Sequence, residues 1–135
     1  MAMPDFDYVL DTSAVLAVIL SEPGCQPVVE LLQEARSGPA VVALPFVALM
    51  ESEYTLLRRF EPDEVAGALL LVAQWPASIV ESNEEWRHEA ARLKAGGGLS
   101  LADAWMAALA MLSNAQLVHK DEEFDKVSNL RSLKL

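Results

Sequence analysis

Mainly apolar positions along the chain follow two rhythms. Short runs at Tyr8-Val9-Leu10, Ala40-Val41-Val42-Ala43-Leu44, Ser78-Ile79-Val80 and Gln116-Leu117-Val118-His119 have the length and β-forming character of strands, and Leu130 to Leu135 can supply a last edge strand. Between them the spacing turns helical. Thr12 or Ser13 can cap a helix through Ala14 to Leu20, and Val28, Val29, Leu31, Leu32 and Ala35 form a helical face that stops near Ser37-Gly38-Pro39. Pro45 introduces a third helix with Val47, Met50, Tyr54 and Leu57 at helical spacing, and Glu61-Pro62-Asp63-Glu64 opens a fourth over Val65 to Val72. Ser82-Asn83-Glu84-Glu85 matches a capping box before a fifth helix that ends at Gly96-Gly97-Gly98, and Ser100 with Asp103 opens a sixth from Ala104 to Leu112. That last helix is apolar all round, as a helix buried in mid-domain should be. Strands alternating with helices predict an α/β fold, a parallel sheet covered on both faces, with any ligand site beyond the carboxyl ends of the strands.

A chain of 135 residues is one domain's worth, residues 1–135, large enough for a real core. No apolar run reaches the roughly 18 positions a membrane helix needs. The first ten residues carry two acids and no base, unlike a signal peptide, so a cytoplasmic location is expected. Cys25 is the only cysteine, which excludes an internal disulfide and a thiolate-rich zinc site. Twenty Asp and Glu against ten Lys and Arg give a formal charge of −10, which argues against a broad basic face for gripping nucleic acid.

The placement of the acids is therefore what matters. Asp11 follows directly on an apolar strand, where an unpaired charge is costly, so it is either a helix cap or part of a charged site at the sheet edge. Glu51 sits in the third helix among apolar residues, with Glu53 on a different azimuth. Asp103 fits the cap of its helix, and Asp121 opens the run Asp121-Glu122-Glu123-Phe124-Asp125, which in isolation reads as an exposed acidic turn. Taken singly, none is specific. Four carboxylates at the junctions of an α/β alternation can nevertheless converge, and convergence needs a counter-ion. No Lys or Arg adjoins Asp11 or Asp103, so a divalent cation is the economical candidate, and hard oxygen ligands favour Mg²⁺ or Mn²⁺ over zinc. His88 and His119 are too far apart in sequence to suggest a zinc pair.

Leu10-Asp11-Thr12-Ser13-Ala14, Glu51 about forty residues on, Leu101-Ala102-Asp103-Ala104, and Val118-His119-Lys120-Asp121-Glu122-Glu123-Phe124 together resemble the PIN domain family, over nearly the whole chain. Within that family the length and layout are similar to the VapC-type ribonuclease toxins of toxin–antitoxin pairs. The resemblance implies a three-layer α/β/α sandwich around a parallel sheet of four to five strands. It implies that Asp11, Glu51, Asp103 and Asp121 form an acidic site for Mg²⁺, with Mn²⁺ as a substitute, and that Ser13 or Thr12 assists as a polar helper. It also implies an RNA substrate, hydrolysed by an activated water, and a protein antitoxin of the VapB type. One departure from the family pattern is His119-Lys120, since many members carry a small hydroxyl residue two positions before the last acid.

Two bases are candidates for substrate contact. Arg58 lies seven residues after Glu51 on the same helical face, and Lys120 adjoins Asp121, with Glu122 or Glu123 as the alternative partners of its charge. The apolar stretch Leu69-Leu70-Leu71-Val72 with Trp75 exceeds what a small core should need, and a homodimer is its simplest use. Two other readings stand beside the nuclease. One is a receiver-like phosphoacceptor domain, which would need paired acids after the first strand and a phosphorylatable Asp after the third. The other is a catalytically silent interaction module whose acids only cap helices.

Overall fold

In the computed structural model, which describes residues 3–135, the short apolar runs hydrogen-bond into one sheet. The strands are β1 (Tyr8–Leu10), β2 (Val42–Pro45), β3 (Ser78–Val80), β4 (Gln116–His119) and β5 (Ser132–Lys134), in the spatial order β3-β2-β1-β4-β5. Every neighbouring pair is parallel, with Tyr8 beside Val42 and Leu10 beside Val118. The helices are α1 (Thr12–Ile19), α2 (Cys25–Ser37), α3 (Phe46–Leu57), α4 (Pro62–Val72), α5 (Glu84–Ala95) and α6 (Leu101–Leu112), and a 3₁₀ turn covers Glu122–Lys126.

The chain steps outward from β1 through β2 to β3, then crosses back to β4 and on to β5. Right-handed crossovers in opposite directions put α1 to α4 on one face and α5 with α6 on the other, giving the α/β/α sandwich. The connections diverge between β1 and β4, so the carboxyl ends of these two strands flank the crevice where ligands of such sheets bind. This order also overturns the receiver-like reading. Receiver domains wind their sheet in a different order, and β1 here is followed by the single acid Asp11.

Strands covered on both faces must be apolar throughout, and Val9, Leu10, Ala43, Leu44, Leu117 and Val118 are wholly buried. Ala104, Met106, Ala107, Ala108, Leu109 and Ala110 of α6 are buried as well, and α6 packs on β1 and β4. Its run of alanines lets the backbone approach the sheet closely. At the β2–α3 junction Phe46 meets Trp86 and Trp105 edge-on, with ring centroids 5.5 and 5.3 Å away, and the two indoles lie 4.9 Å apart.

Three local expectations need correction. The cap of α1 is Asp11, not Thr12 or Ser13, because its carboxylate reaches the Ser13 amide. The cap of α5 is Asn83 rather than Ser82, because Asn83 Oδ1 accepts the Trp86 amide at 2.9 Å. The acidic run after β4 is not a plain exposed turn, since Phe124 within it is driven into the core. The stretch Leu69 to Val72 divides: Val72 is core, whereas Leu70 and Leu71 stay two-thirds exposed. No helix among the described residues is long and apolar enough to cross a membrane.

Gly67 lies exposed within α4, and a Cβ there would meet nothing within 4 Å among the described residues. Gly67→Ala should therefore stabilise the fold by roughly 0.5–1 kcal/mol, by lowering the entropy of the unfolded chain, and thermal denaturation would register it as a rise of a few degrees.

Candidate active site

Where β1 and β4 end, side chains from four elements line one open depression of about 580 Å³. Asp11, Thr12 and Ser13 come from the start of α1, Glu51 and Thr55 from α3, Asp103 from α6, and Lys120 to Glu123 from the segment after β4. The sheet order brings them together: adjacent parallel strands deliver their carboxyl ends side by side, and the N-termini of the following helices start there. Asp11 is 5% exposed and belongs to both strand end and helix cap. Its Oδ2 accepts the Ser13 amide at 3.1 Å and the Ser13 hydroxyl at 2.6 Å. Ser13 Oγ in turn accepts the Lys120 amide at 3.0 Å, which ties the end of β4 to the end of β1. Glu51 is held from the other side by the Thr12 hydroxyl, 2.6 Å from its Oε1. Glu53, two residues on, is exposed to solvent.

Asp103 sits in the first turn of α6, where the Ser100 hydroxyl accepts its amide at 3.1 Å. Its carboxyl is pushed up to about 7, first by burial and then by the charges of Asp11, Asp121 and Glu51. All three other acids are thus felt at one point. The Asp11 carboxyl is also raised, chiefly by burial and further by Glu51, against the pull of the Ser13 hydroxyl and amide. Asp121 caps the 3₁₀ turn through the Glu123 amide, 2.9 Å from its Oδ1.

Among the described residues no three His, Cys, Asp or Glu side chains stand close enough together to form a coordination shell as they are placed. The like charges of the four acids repel one another, and hydrogen bonds from Thr12 and Ser13 hold Glu51 and Asp11 in place. The donor set itself suits a hard divalent ion: apart from the Lys120 ammonium, the polar side chains that line the depression among the described residues are carboxylates and hydroxyls, not histidine or cysteine. Asp11, Asp103, Glu51 and Asp121 are the residues that could hold one.

The two bases fall differently. Lys120 lines the depression, but its ammonium pairs with Glu22 at 3.6 Å, not with Glu122 or Glu123. Arg58 does not line it; α3 has ended there, and the guanidinium lies over the Tyr54 ring, 5.0 Å from its centroid. Thr55 was legible in principle, since it follows Glu51 by four on the same helical face.

A raised carboxyl destabilises the fold as pH climbs. Between the unfolded value near 3.8 and the folded value near 7, the native chain keeps a proton that the unfolded chain releases. Asp103→Asn removes that loss, so in chelator its stability should equal wild type near pH 4 and exceed it by about 1–2 kcal/mol at pH 8, after allowance for screening at a half-buried group. Thermal melts at the two pH values test this.

Among curated proteins, none matches this chain in sequence. Solved structures do match in fold. VapBC2 from Rickettsia felis, bound to a DNA fragment from their promoter, superposes with a TM-score of 0.79 at 20% identity, covering 96% of this chain and 99% of that one. DNA-bound VapBC from Salmonella typhimurium gives 0.79 at 16% identity over 96% and 98% of the two chains. Mycobacterium tuberculosis VapC20, described as a sarcin–ricin loop cleaving toxin, gives 0.66 at 18% identity over 88% and 93%. The PIN domain family model matches residues 8–130, from the first residue of β1 almost to β5, and by that match the chain belongs to the PIN domain family.

Proposed function

We propose that this protein is a metal-dependent endoribonuclease, the toxin of a toxin–antitoxin pair, acting as one domain. The observation that carries the reading is the convergence of Asp11, Glu51, Asp103 and Asp121 on one depression at the carboxyl ends of β1 and β4, where burial and the other three acids raise the Asp103 carboxyl. Such crowding is unfavourable in the free protein and becomes useful when a cation enters. When bound, Mg²⁺ or Mn²⁺ supplies the charge that offsets a phosphate and makes a water more acidic. Asp11 and Asp103 would hold the ion, with Asp121 completing the set. Glu51 would orient the attacking water and take its proton, fixed for that task by Thr12. Ser13 keeps Asp11 in one rotamer through their hydrogen bond. Lys120 can leave Glu22 for a substrate phosphate, because their pair is partly exposed and long.

The fold likeness to VapBC assemblies supports a VapB-type antitoxin as partner, and exposed Leu70 and Leu71 support a homodimer. A dilution series followed by light scattering should show a dimer that dissociates as concentration falls. The deciding experiment is cleavage of total RNA in Mg²⁺ with the ends mapped, beside a chelator control. Cleavage at defined sites, lost in chelator, is the expected result. Cleavage that survives chelator would sink the metal-dependent reading, and no cleavage with no Mn²⁺ binding would leave the silent module.

A further inference from the structure

His119, the last residue of β4, is wholly buried, its ring centroid 4.8 Å from that of Phe124. Its Nδ1 accepts the Asp121 amide at 3.1 Å, so the ring proton belongs on Nε2. That Nε2 is buried with no hydrogen-bond partner among the described residues. A buried, unsatisfied donor is destabilising, and a leucine would fill the same space without it. Packing therefore does not explain an imidazole here. What the imidazole adds is an acceptor aimed at the backbone of the segment carrying Asp121.

We propose that His119 is a positioning residue for the Asp121 carboxylate, a proposal that rests on the metal-site reading above. Two consecutive amides are pinned as the chain leaves β4. Lys120 donates to Ser13 Oγ, which itself donates to Asp11 Oδ2, and Asp121 donates to His119. The exit of β4 is thus tied on one side to Asp11 and on the other to the core, which fixes where the Asp121 side chain starts. His119 here does the work that a hydroxyl at the same position could do by accepting the same amide.

The test compares wild type, His119→Leu and His119→Asn, whose side-chain oxygen restores an acceptor, by Mn²⁺ titration calorimetry and by amide hydrogen exchange. His119→Leu should bind Mn²⁺ about tenfold more weakly and exchange the Asp121 amide faster, while melting no lower than wild type. His119→Asn should recover most of both. If His119→Leu does not fold, the isosteric pair His119→Thr and His119→Val carries the same comparison, with Thr expected to bind Mn²⁺ more tightly. Equal Mn²⁺ affinity with and without the acceptor, in a wild type that binds the ion, overturns the positioning role alone. A wild type that takes up no Mn²⁺ overturns it together with the nuclease reading.

Discussion

Asp11→Asn should lower RNA cleavage by at least about 100-fold and abolish measurable Mn²⁺ uptake, yet leave the metal-free protein at pH 8 as stable as wild type or more so. The two effects have one cause. Asp11 is almost fully buried, and burial and Glu51 both hold its carboxyl above the usual range. Ionising it in the folded chain is therefore costly, and that cost grows as pH rises through its folded value. Asparagine removes the charge and keeps the shape. Its side-chain oxygen can still accept from Ser13, so the cap of α1 and the link to Lys120 survive. Calorimetric Mn²⁺ titration, a cleavage assay and a thermal melt on one preparation would separate the two effects. An Asp11→Asn protein that is both inactive and badly destabilised would point to a structural role for the carboxylate instead.

Trp86→Ala should destabilise the fold by about 3–5 kcal/mol, a large part of the roughly 5–15 kcal/mol typical of a domain. Trp86 has no exposed surface, packs edge-on against Phe46 and Trp105, and donates from Nε1 to the Trp105 carbonyl at 2.8 Å. Truncation would leave a large cavity and an unpaired carbonyl face in an interior that relaxes little. Trp86→Phe keeps an edge-on ring but loses the donor, so about 1–2 kcal/mol is expected. Urea titration followed by circular dichroism distinguishes the two. The cluster also bears on the site: Phe46 begins α3, which carries Glu51, and Trp105 follows Asp103 by two on α6. Loosening Trp86 should therefore weaken Mn²⁺ binding even below the melting transition.

Much of the fold was legible because its signals are local. Pro45 and Pro62 at helix starts, Gly96 to Gly98 after α5, and Ser100 before α6 each act within one turn of chain. The misread caps at Thr12, Ser13 and Ser82 show the limit of such signals. Neighbouring polar residues compete for the same free amides, and backbone direction at the junction chooses Asp11 and Asn83. Lys120 and Arg58 show a different limit. Lys120 reaches Glu22 across the fold, and Arg58, though two turns from Glu51, lies past the end of α3 over Tyr54.

By itself the sequence determined the strand and helix alternation, the parallel α/β class, and the candidacy of Asp11, Glu51, Asp103 and Asp121 as oxygen donors of the kind a hard cation prefers. These follow from residue type and short-range period, which need no knowledge of what lies beside what. Only the tertiary structure decided that β1 lies between β2 and β4, and therefore that these acids share one depression. It alone raised the carboxyl of Asp103, joined Ser13 to an amide 107 residues away, and buried one nitrogen of His119 without a partner among the described residues. The physical reason is that burial and Coulomb repulsion depend on distance in space, and distance in space is set by strand order.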